Sequence, residues 1–134
     1  MHEQKMQVLQ TTVSKLLRRG ATTNLKKALA KIHPADIADL FRYFDLPEQK
    51  TLLELTPDLD RAADVLAELE PESWPELAEL LDKDYLISIV HEMADDDSAV
   101  FIRSLPDELA EEILTKLHDD QSEDVEHLLG YDEE

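Results

Sequence analysis

The sequence PDLDRAADVLAELEP, residues 57–71, shows the pattern on which the fold depends. It opens with a proline and acidic residues, continues with apolar residues three and four positions apart, and ends at the proline that opens the next such segment. Proline suits the first turn of a helix because its missing N–H would have no partner there, and carboxylates complement the helix dipole. The 3–4 spacing of the apolar residues predicts a helix with one buried face.

Segments of this kind recur from residue 34 to the end of the chain. One series begins near Pro34, Pro57, Asp82 and Pro106, and the other begins near Pro47, Pro71, Asp95 and Asp119. Within each series the starts are 23 to 25 residues apart. A period of about 24 residues that holds two helices of roughly 8–11 residues is typical of a solenoid of helical hairpins. Helices this short are marginal alone, so they must stack to bury their Leu and Ile side chains.

Two further helices are predicted before the repeat. Residues 4–19 carry apolar residues at helical spacing, and Gly20 is expected to end that helix. A second helix, about 23–32, follows the segment Thr22–Asn24, any residue of which could cap it. His33 stands at the next helix start, where a capping or turn role is expected. The chain has only two glycines and few β-branched or aromatic runs, so the predicted fold class is all-α.

The charge of the chain is strongly negative and unevenly distributed. The formal net charge is −19. Residues 1–33 hold seven basic residues and one acidic residue, whereas residues 34–134 hold six basic and 31 acidic residues. Nucleic acid and the anionic inner membrane leaflet would repel so acidic a chain, so cations or basic protein surfaces are the expected partners of residues 34–134. The excess of acid destabilises an isolated fold through self-repulsion, and a cation-dependent function would explain it.

Several classes of chemistry are excluded. The chain has no cysteine, which rules out disulfides, zinc–thiolate sites and thiol catalysis. It has no Gly-rich phosphate loop or serine nucleophile elbow, and the zinc-protease motif that His91 and Glu92 begin fails at Asp95. We therefore predict that it is not an enzyme. No apolar run approaches the roughly 20 residues that span a bilayer, and no signal peptide is recognisable, so direct membrane insertion is not expected.

Carboxylate clusters offer divalent cation chemistry. The candidate clusters are Asp58 with Asp60, Asp82 with Asp84, and the run Asp95–Asp97. None of them fits a calcium loop, because the obligatory Gly and the distant Glu are missing. Mg²⁺ suits them better, since it keeps most of its waters and needs only one or two carboxylates. The alternative for Asp95–Asp97 is structural: three acids in a first helical turn stabilise the helix N-terminus.

Four segments together resemble one protein family. They are residues 32–40 (IHPADIADL), 61–72 (RAADVLAELEPE), 93–97 (MADDD) and 128–134 (LLGYDEE). In this order and spacing they resemble the N-terminal domain of MgtE-type magnesium transporters. The resemblance covers nearly the whole chain from about residue 25.

The resemblance implies a fold and a regulatory function. Family members are homodimeric magnesium channels with an N-terminal helical superhelix, paired CBS domains and a transmembrane pore. The expected fold is accordingly a right-handed superhelix, or solenoid, of about ten short helices. Mg²⁺ bound between the N-terminal and CBS domains holds the closed state, and its loss lets the acidic surfaces separate. This is a ligand-driven shift between two states.

The resemblance also assigns metal ligands by position. They fall on Asp64 and Asp96, with Asp95 and Asp97 as possible substitutes for a further family acid that falls on Val100. Asp64 stands where Glu is more usual and reaches less far. The other ligands would lie on CBS domains outside this chain, so this chain alone is expected to bind Mg²⁺ weakly.

The predicted organisation is a single domain over residues 1–130, with basic N-terminal helices at 1–32 and helical repeats at 33–130. Residues 131–134 would begin the linker to a CBS domain. The expected setting is the cytoplasmic side of an inner (cell) membrane protein. Two alternatives are a module similar to a flagellar motor switch protein and an acidic helical adaptor without metal. The basic first helix is either a solvated face or a contact for an acidic patch on the partner subunit.

Overall fold

The computed structural model describes residues 2–117. Within them the chain forms nine α-helices and two 3-10 helices and no β-strand, which confirms the all-α prediction. The α-helices are α1 (His2–Arg19), α2 (Thr22–Lys31), α3 (Pro34–Leu40), α4 (Leu46–Leu55), α5 (Leu59–Glu68), α6 (Trp74–Leu80), α7 (Lys83–Glu92), α8 (Asp95–Arg103) and α9 (Asp107–Leu117). The 3-10 helices are Phe41–Tyr43 and Pro71–Ser73. The right-handed superhelix stays a prediction.

The predicted helix starts are confirmed over the described residues. A helix begins within two residues of each of the proline and aspartate positions from Pro34 to Pro106; near Pro47 it begins one residue earlier, at Leu46, and at Pro71 it is a 3-10 helix that precedes α6. The start predicted at Asp119 lies outside the described residues. The periodic signal that predicted the helices therefore also marks their starts, because proline and acids suit a first turn.

Side chains cap several of these helices. His33 Nδ1 accepts a hydrogen bond from the Ala35 N–H at 3.0 Å, which confirms its predicted capping role. Asp45 and Glu48 form a capping box at the start of α4, in which each side chain accepts the backbone N–H of the other at 2.9 Å. Such contacts satisfy N–H groups that the first turn of a helix leaves without partners.

The cap predicted for α2 is wrong. The helix begins at Thr22, so its N-cap residue is Ala21, which has no side-chain hydrogen bond to offer. The Thr22 hydroxyl donates instead to the Gly20 carbonyl at 3.2 Å. Gly20 has a φ of 66° and directly follows α1, which confirms it as the helix stop. Glycine adopts this left-handed conformation without the strain that a Cβ would cause.

The chain divides into two compact units between Glu68 and Leu69. The first unit contains α1 to α5. In it α3 packs on α5, α1 packs on α2 and α3, and α2 packs on α4. Its core is mainly aliphatic, with Leu25, Leu29, Ile37 and Leu66 fully buried together with the ring of Phe41. The short helices thus bury their apolar faces against one another, as their length requires.

The second unit contains α6 to α9 among the described residues. The rings of Trp74 and Phe101 meet edge to face with centroids 5.2 Å apart, which joins α6 to α8. α7 and α8 both pack on α9, around buried Leu86, Ile89 and Ile113. Across residues 2–117, none of the helices has the length and apolarity of a membrane span.

We expect the change Asp45→Ala to weaken α4. The substitution removes the carboxylate that accepts the Glu48 N–H but leaves the core intact, because Asp45 is exposed. The free energy of unfolding should fall by about 1 kcal/mol, the usual effect of losing an N-cap acceptor. Urea unfolding followed by circular dichroism measures it. Asp45→Asn keeps an acceptor and is the control; an equal loss in both variants would contradict the capping role.

Candidate metal-binding surface

Helix α5 places Asp64 on its solvent-exposed side. Ala62, Ala63, Val65 and Leu66 form the buried side of the helix. Asp60, Asp64 and Glu68 are all exposed and follow one another at intervals of four residues. Residues four apart lie on the same side of a helix, so these three carboxylates form one line, which we call the α5 acidic row.

The one basic residue of α5 turns away from this row. Arg61 is half-buried, and its Nη2 donates to the carbonyl of Leu29 at 2.9 Å and to the carbonyl of Ile32. Both carbonyls lie at the C-terminal end of α2, where a cation complements the helix dipole. The Arg61 Nε is buried without a hydrogen-bond partner among the described residues. The guanidinium is thus committed to the interior of the first unit.

The α5 acidic row consequently carries uncompensated charge. Within residues 2–68, none of its three carboxylates forms an ion pair. Like charges four residues apart on a helix cost about 0.2–0.5 kcal/mol per pair. On α4 the arrangement is the opposite, because Lys50 and Glu54 form an ion pair at 2.9 Å. Asp64 lies in mid-helix, so its charge does not benefit from the dipole as an acid in a first turn would.

The second predicted ligand group opens α8. Asp95, Asp96 and Asp97 occupy the first turn, which confirms the helix-start interpretation of this run. Asp96 and Asp97 are exposed and Asp95 is half-buried. The Asp97 N–H donates to Asp96 Oδ1 at 2.9 Å, so one oxygen of Asp96 is engaged in this contact.

A buried hydroxyl of the second unit holds the first turn of α8 in position. The buried hydroxyl of Ser98 lies 3.2 Å from the Val90 carbonyl and 3.1 Å from the Ala94 carbonyl, and it can donate to either. This holds the start of α8 against the end of α7. Val100, where the family places a further acid, is 50% exposed. This chain has an apolar side chain at that position.

The other two acidic clusters proposed from the sequence are Asp58 with Asp60 and Asp82 with Asp84. Asp82 caps α7 by accepting the Tyr85 N–H at 3.3 Å. Asp58 adopts a φ of 65°, a left-handed conformation that Asp tolerates better than most residues. Its neighbour Asp60 belongs to the α5 acidic row.

Single exposed carboxylates are the donors that the described part of the chain offers to a hydrated magnesium ion. Among residues 2–117, no three His, Asp or Glu residues converge to form a metal cage. Mg²⁺ retains several waters and takes one or two carboxylates, so single exposed carboxylates such as Asp64 and Asp96 suit it. Asp64 belongs to the first unit and Asp96 to the second. Each offers one carboxylate on a solvent-facing surface.

Comparison with known proteins identifies one family. Residues 32–134 match the family model described as the MgtE intracellular N domain. A search of curated proteins finds no match.

Two solved structures share the fold. The soluble part of a magnesium transporter matches with a TM-score of 0.84 and 15% sequence identity, over 96% of this chain and 51% of that one. The cytosolic domain of the Mg²⁺ channel MgtE in complex with ATP matches with a TM-score of 0.65 and 25% identity, over 80% of this chain and 50% of that one. This chain therefore spans about half the length of each structure.

Two features of this surface were not predicted from the sequence. One is the α5 acidic row, and the other is the hydrogen bonding of Arg61 to the α2 carbonyls. The four-residue spacing of Asp60, Asp64 and Glu68 was a usable signal for the row. The orientation of Arg61 had no such signal, because it depends on contacts across about 30 residues of chain.

We expect Asp64→Asn to stabilise the chain when no divalent cation is present. The change removes the repulsion of residue 64 with Asp60 and with Glu68, and it should raise the free energy of unfolding by about 0.5 kcal/mol. Urea unfolding in EDTA measures it. Glu54→Gln is the matched control: it removes the same charge but breaks the pair with Lys50, so stability should fall. A loss of stability in both variants would contradict the uncompensated row.

Proposed function

The chain belongs to the MgtE intracellular N domain family, and we propose that it is the magnesium-sensing regulatory part of a magnesium transporter. Its role is regulatory and not catalytic. The observation that carries this proposal is the α5 acidic row, whose carboxylates face solvent while Arg61 points inward. A surface with this much uncompensated negative charge is more stable when a cation is bound.

Asp64 and Asp96 are the proposed ligands of this chain, and Asp95 and Asp97 are the residues that can assist Asp96. The remaining ligands are proposed to lie on the CBS domains of the same transporter. An ion shared in this way explains why the described residues of each unit offer single carboxylates and not a cage. It also accounts for the weak binding expected of this chain alone.

The proposed mechanism is a charge-dependent equilibrium between two states. When Mg²⁺ is abundant, it bridges the acidic surfaces of the N-terminal and CBS domains and favours the closed pore. When Mg²⁺ is scarce, the same carboxylates repel one another, the surfaces separate and the pore opens. A ligand shifts such an equilibrium only by its difference in affinity between the two states, and the shared site provides that difference.

The proposed setting is the cytoplasmic side of the cell membrane, in a homodimeric transporter. Residues 1–130 are the proposed domain, and residues 131–134, which lie outside the described residues, are the proposed start of the linker. Family membership supports this setting over a module similar to a flagellar motor switch protein. A metal-free acidic adaptor differs from the sensor in one measurable respect, its response to Mg²⁺.

We expect Mg²⁺ to raise the thermal stability of this chain. A ligand that binds the folded state at ten times its Kd adds about 1.4 kcal/mol, which corresponds to a rise in Tm of a few degrees. Differential scanning calorimetry across a millimolar Mg²⁺ series measures the rise. Sodium chloride at equal ionic strength controls for screening, and an equal rise with sodium would favour the adaptor.

Asp64→Asn should remove most of this Mg²⁺-dependent rise. Asp107→Asn, which removes one exposed acid from the first turn of α9, is the matched control and should retain it. Equal losses in the two variants would show that Mg²⁺ acts by diffuse screening. A calorimetric titration with tight, stoichiometric binding would contradict a site shared with another domain.

A further inference from the structure

After Glu3, every charged residue of helices α1 and α2 is basic. Between residues 4 and 35 the chain has seven basic residues and no acidic one. Lys5 forms an ion pair with Asp36 at 3.0 Å. The other six are exposed, and we call them the basic face: Lys15, Arg18, Arg19, Lys26, Lys27 and Lys31.

The basic face lowers the stability of the helices that carry it. Lys15 and Arg19 are four residues apart on α1, and Lys27 and Lys31 are four apart on α2, so each pair repels. Within residues 2–68, no member of the basic face forms an ion pair. The chain contains 32 acidic residues, yet none is placed on these helices after Glu3. Local repulsion of this kind indicates a surface kept for a partner.

The second unit carries a surface of the opposite sign. Residues 69–82, which include α6, contain five acidic residues and no basic one. All five are exposed, and we call them the α6 acidic surface: Glu70, Glu72, Glu76, Glu79 and Asp82. Within residues 69–117, none of them forms an ion pair. Leu80, an exposed apolar residue, lies among them.

We propose that the basic face docks on the α6 acidic surface of a second copy of this chain. The two surfaces are opposite in sign and carry nearly equal numbers of charges, six against five. Each also carries one exposed large apolar residue, Val8 on α1 and Leu80 on α6. A membrane is the less fitting partner, because membrane-binding helices combine basic residues with several large apolar ones, and Val8 is alone on α1 and α2.

This contact has a distinctive dependence on salt. At an ionic strength of about 0.01 M the Debye length is about 30 Å, so two chains of net charge −19 repel as wholes. At about 0.15 M the Debye length is about 8 Å, and only charges near the contact act, which leaves the local attraction. At about 1 M the Debye length is about 3 Å, and the ion pairs themselves are screened. Self-association should therefore be strongest at intermediate salt.

The experiment is analytical sedimentation of residues 1–134 in EDTA across this range of salt. The protein concentration extends to about 1 mM, which is the effective concentration typical of tethered modules. EDTA makes the result independent of the proposed Mg²⁺ sensing. We expect a weight-average mass above that of the monomer near 0.15 M and a monomer at both extremes of salt. A monomer throughout, or association that strengthens steadily with salt, would overturn the proposal.

Lys27→Glu is the decisive variant, because it should weaken association without unfolding the chain. An acid four residues before Lys31 forms a favourable pair on α2, so helix stability should be retained or raised. We expect association to weaken by roughly tenfold, the scale of one to two lost ion pairs. Lys116→Glu changes the charge equally on exposed α9 and should leave association unchanged.

Charge reversal on both surfaces completes the test. Glu76→Lys alone should weaken association as Lys27→Glu does, and the double variant Lys27→Glu/Glu76→Lys should recover part of it. No recovery in the double variant would contradict docking between these two surfaces. A membrane is tested by mixing the chain with vesicles of anionic lipid at about 0.15 M salt. If the chain sediments with the vesicles and Lys27→Glu does not, the basic face binds a membrane and the proposal is overturned.

Discussion

The hydrogen bonds from Arg61 to the carbonyls at the end of α2 determine the electrostatics of the first unit. A guanidinium held in this way stabilises the C-terminus of α2 and ties α5 to it. Because the same guanidinium is turned inward, the outer side of α5 keeps Asp60, Asp64 and Glu68 without a counter-charge. One side chain therefore both links α5 to the end of α2 and leaves the outer side of α5 without a counter-charge.

The rest of the charge distribution follows the same separation. Bases are concentrated on α1 and α2, and acids on α5 and α6, so that most charges of one sign lie beside others of that sign. Isolated folds gain more from mixed charges, and α4 shows with Lys50 and Glu54 that this chain can pair them. Segregation lowers the stability of the monomer and leaves each surface ready for an external partner. A cation suits the acidic row, and an acidic protein surface suits the basic face.

Much of the fold could be predicted from the sequence, because proline, acids and apolar spacing act locally. The starts from Pro34 to Pro106 and the roles of Gly20 and His33 follow from single residues and their neighbours. The cap of α2 was wrong because the helix begins one residue earlier, within the error expected for helix ends. The orientation of Arg61 could not be predicted, because it depends on contacts between segments distant in sequence. The ligand roles of Asp64 and Asp96 stay predictions that rest on family membership and on exposed carboxylates.

The proposed Mg²⁺ sensing requires that Mg²⁺ binds at particular carboxylates and does not merely screen an acidic surface. Two-dimensional NMR of residues 1–134 during a Mg²⁺ titration tests this most directly, because every backbone amide reports its own surroundings. If Mg²⁺ binds at these carboxylates, the amide signals of α5 near Asp64 and of the first turn of α8 will shift most and saturate together at millimolar Mg²⁺. Equal shifts across all acid-bearing helices, including α6 and α9, would contradict it.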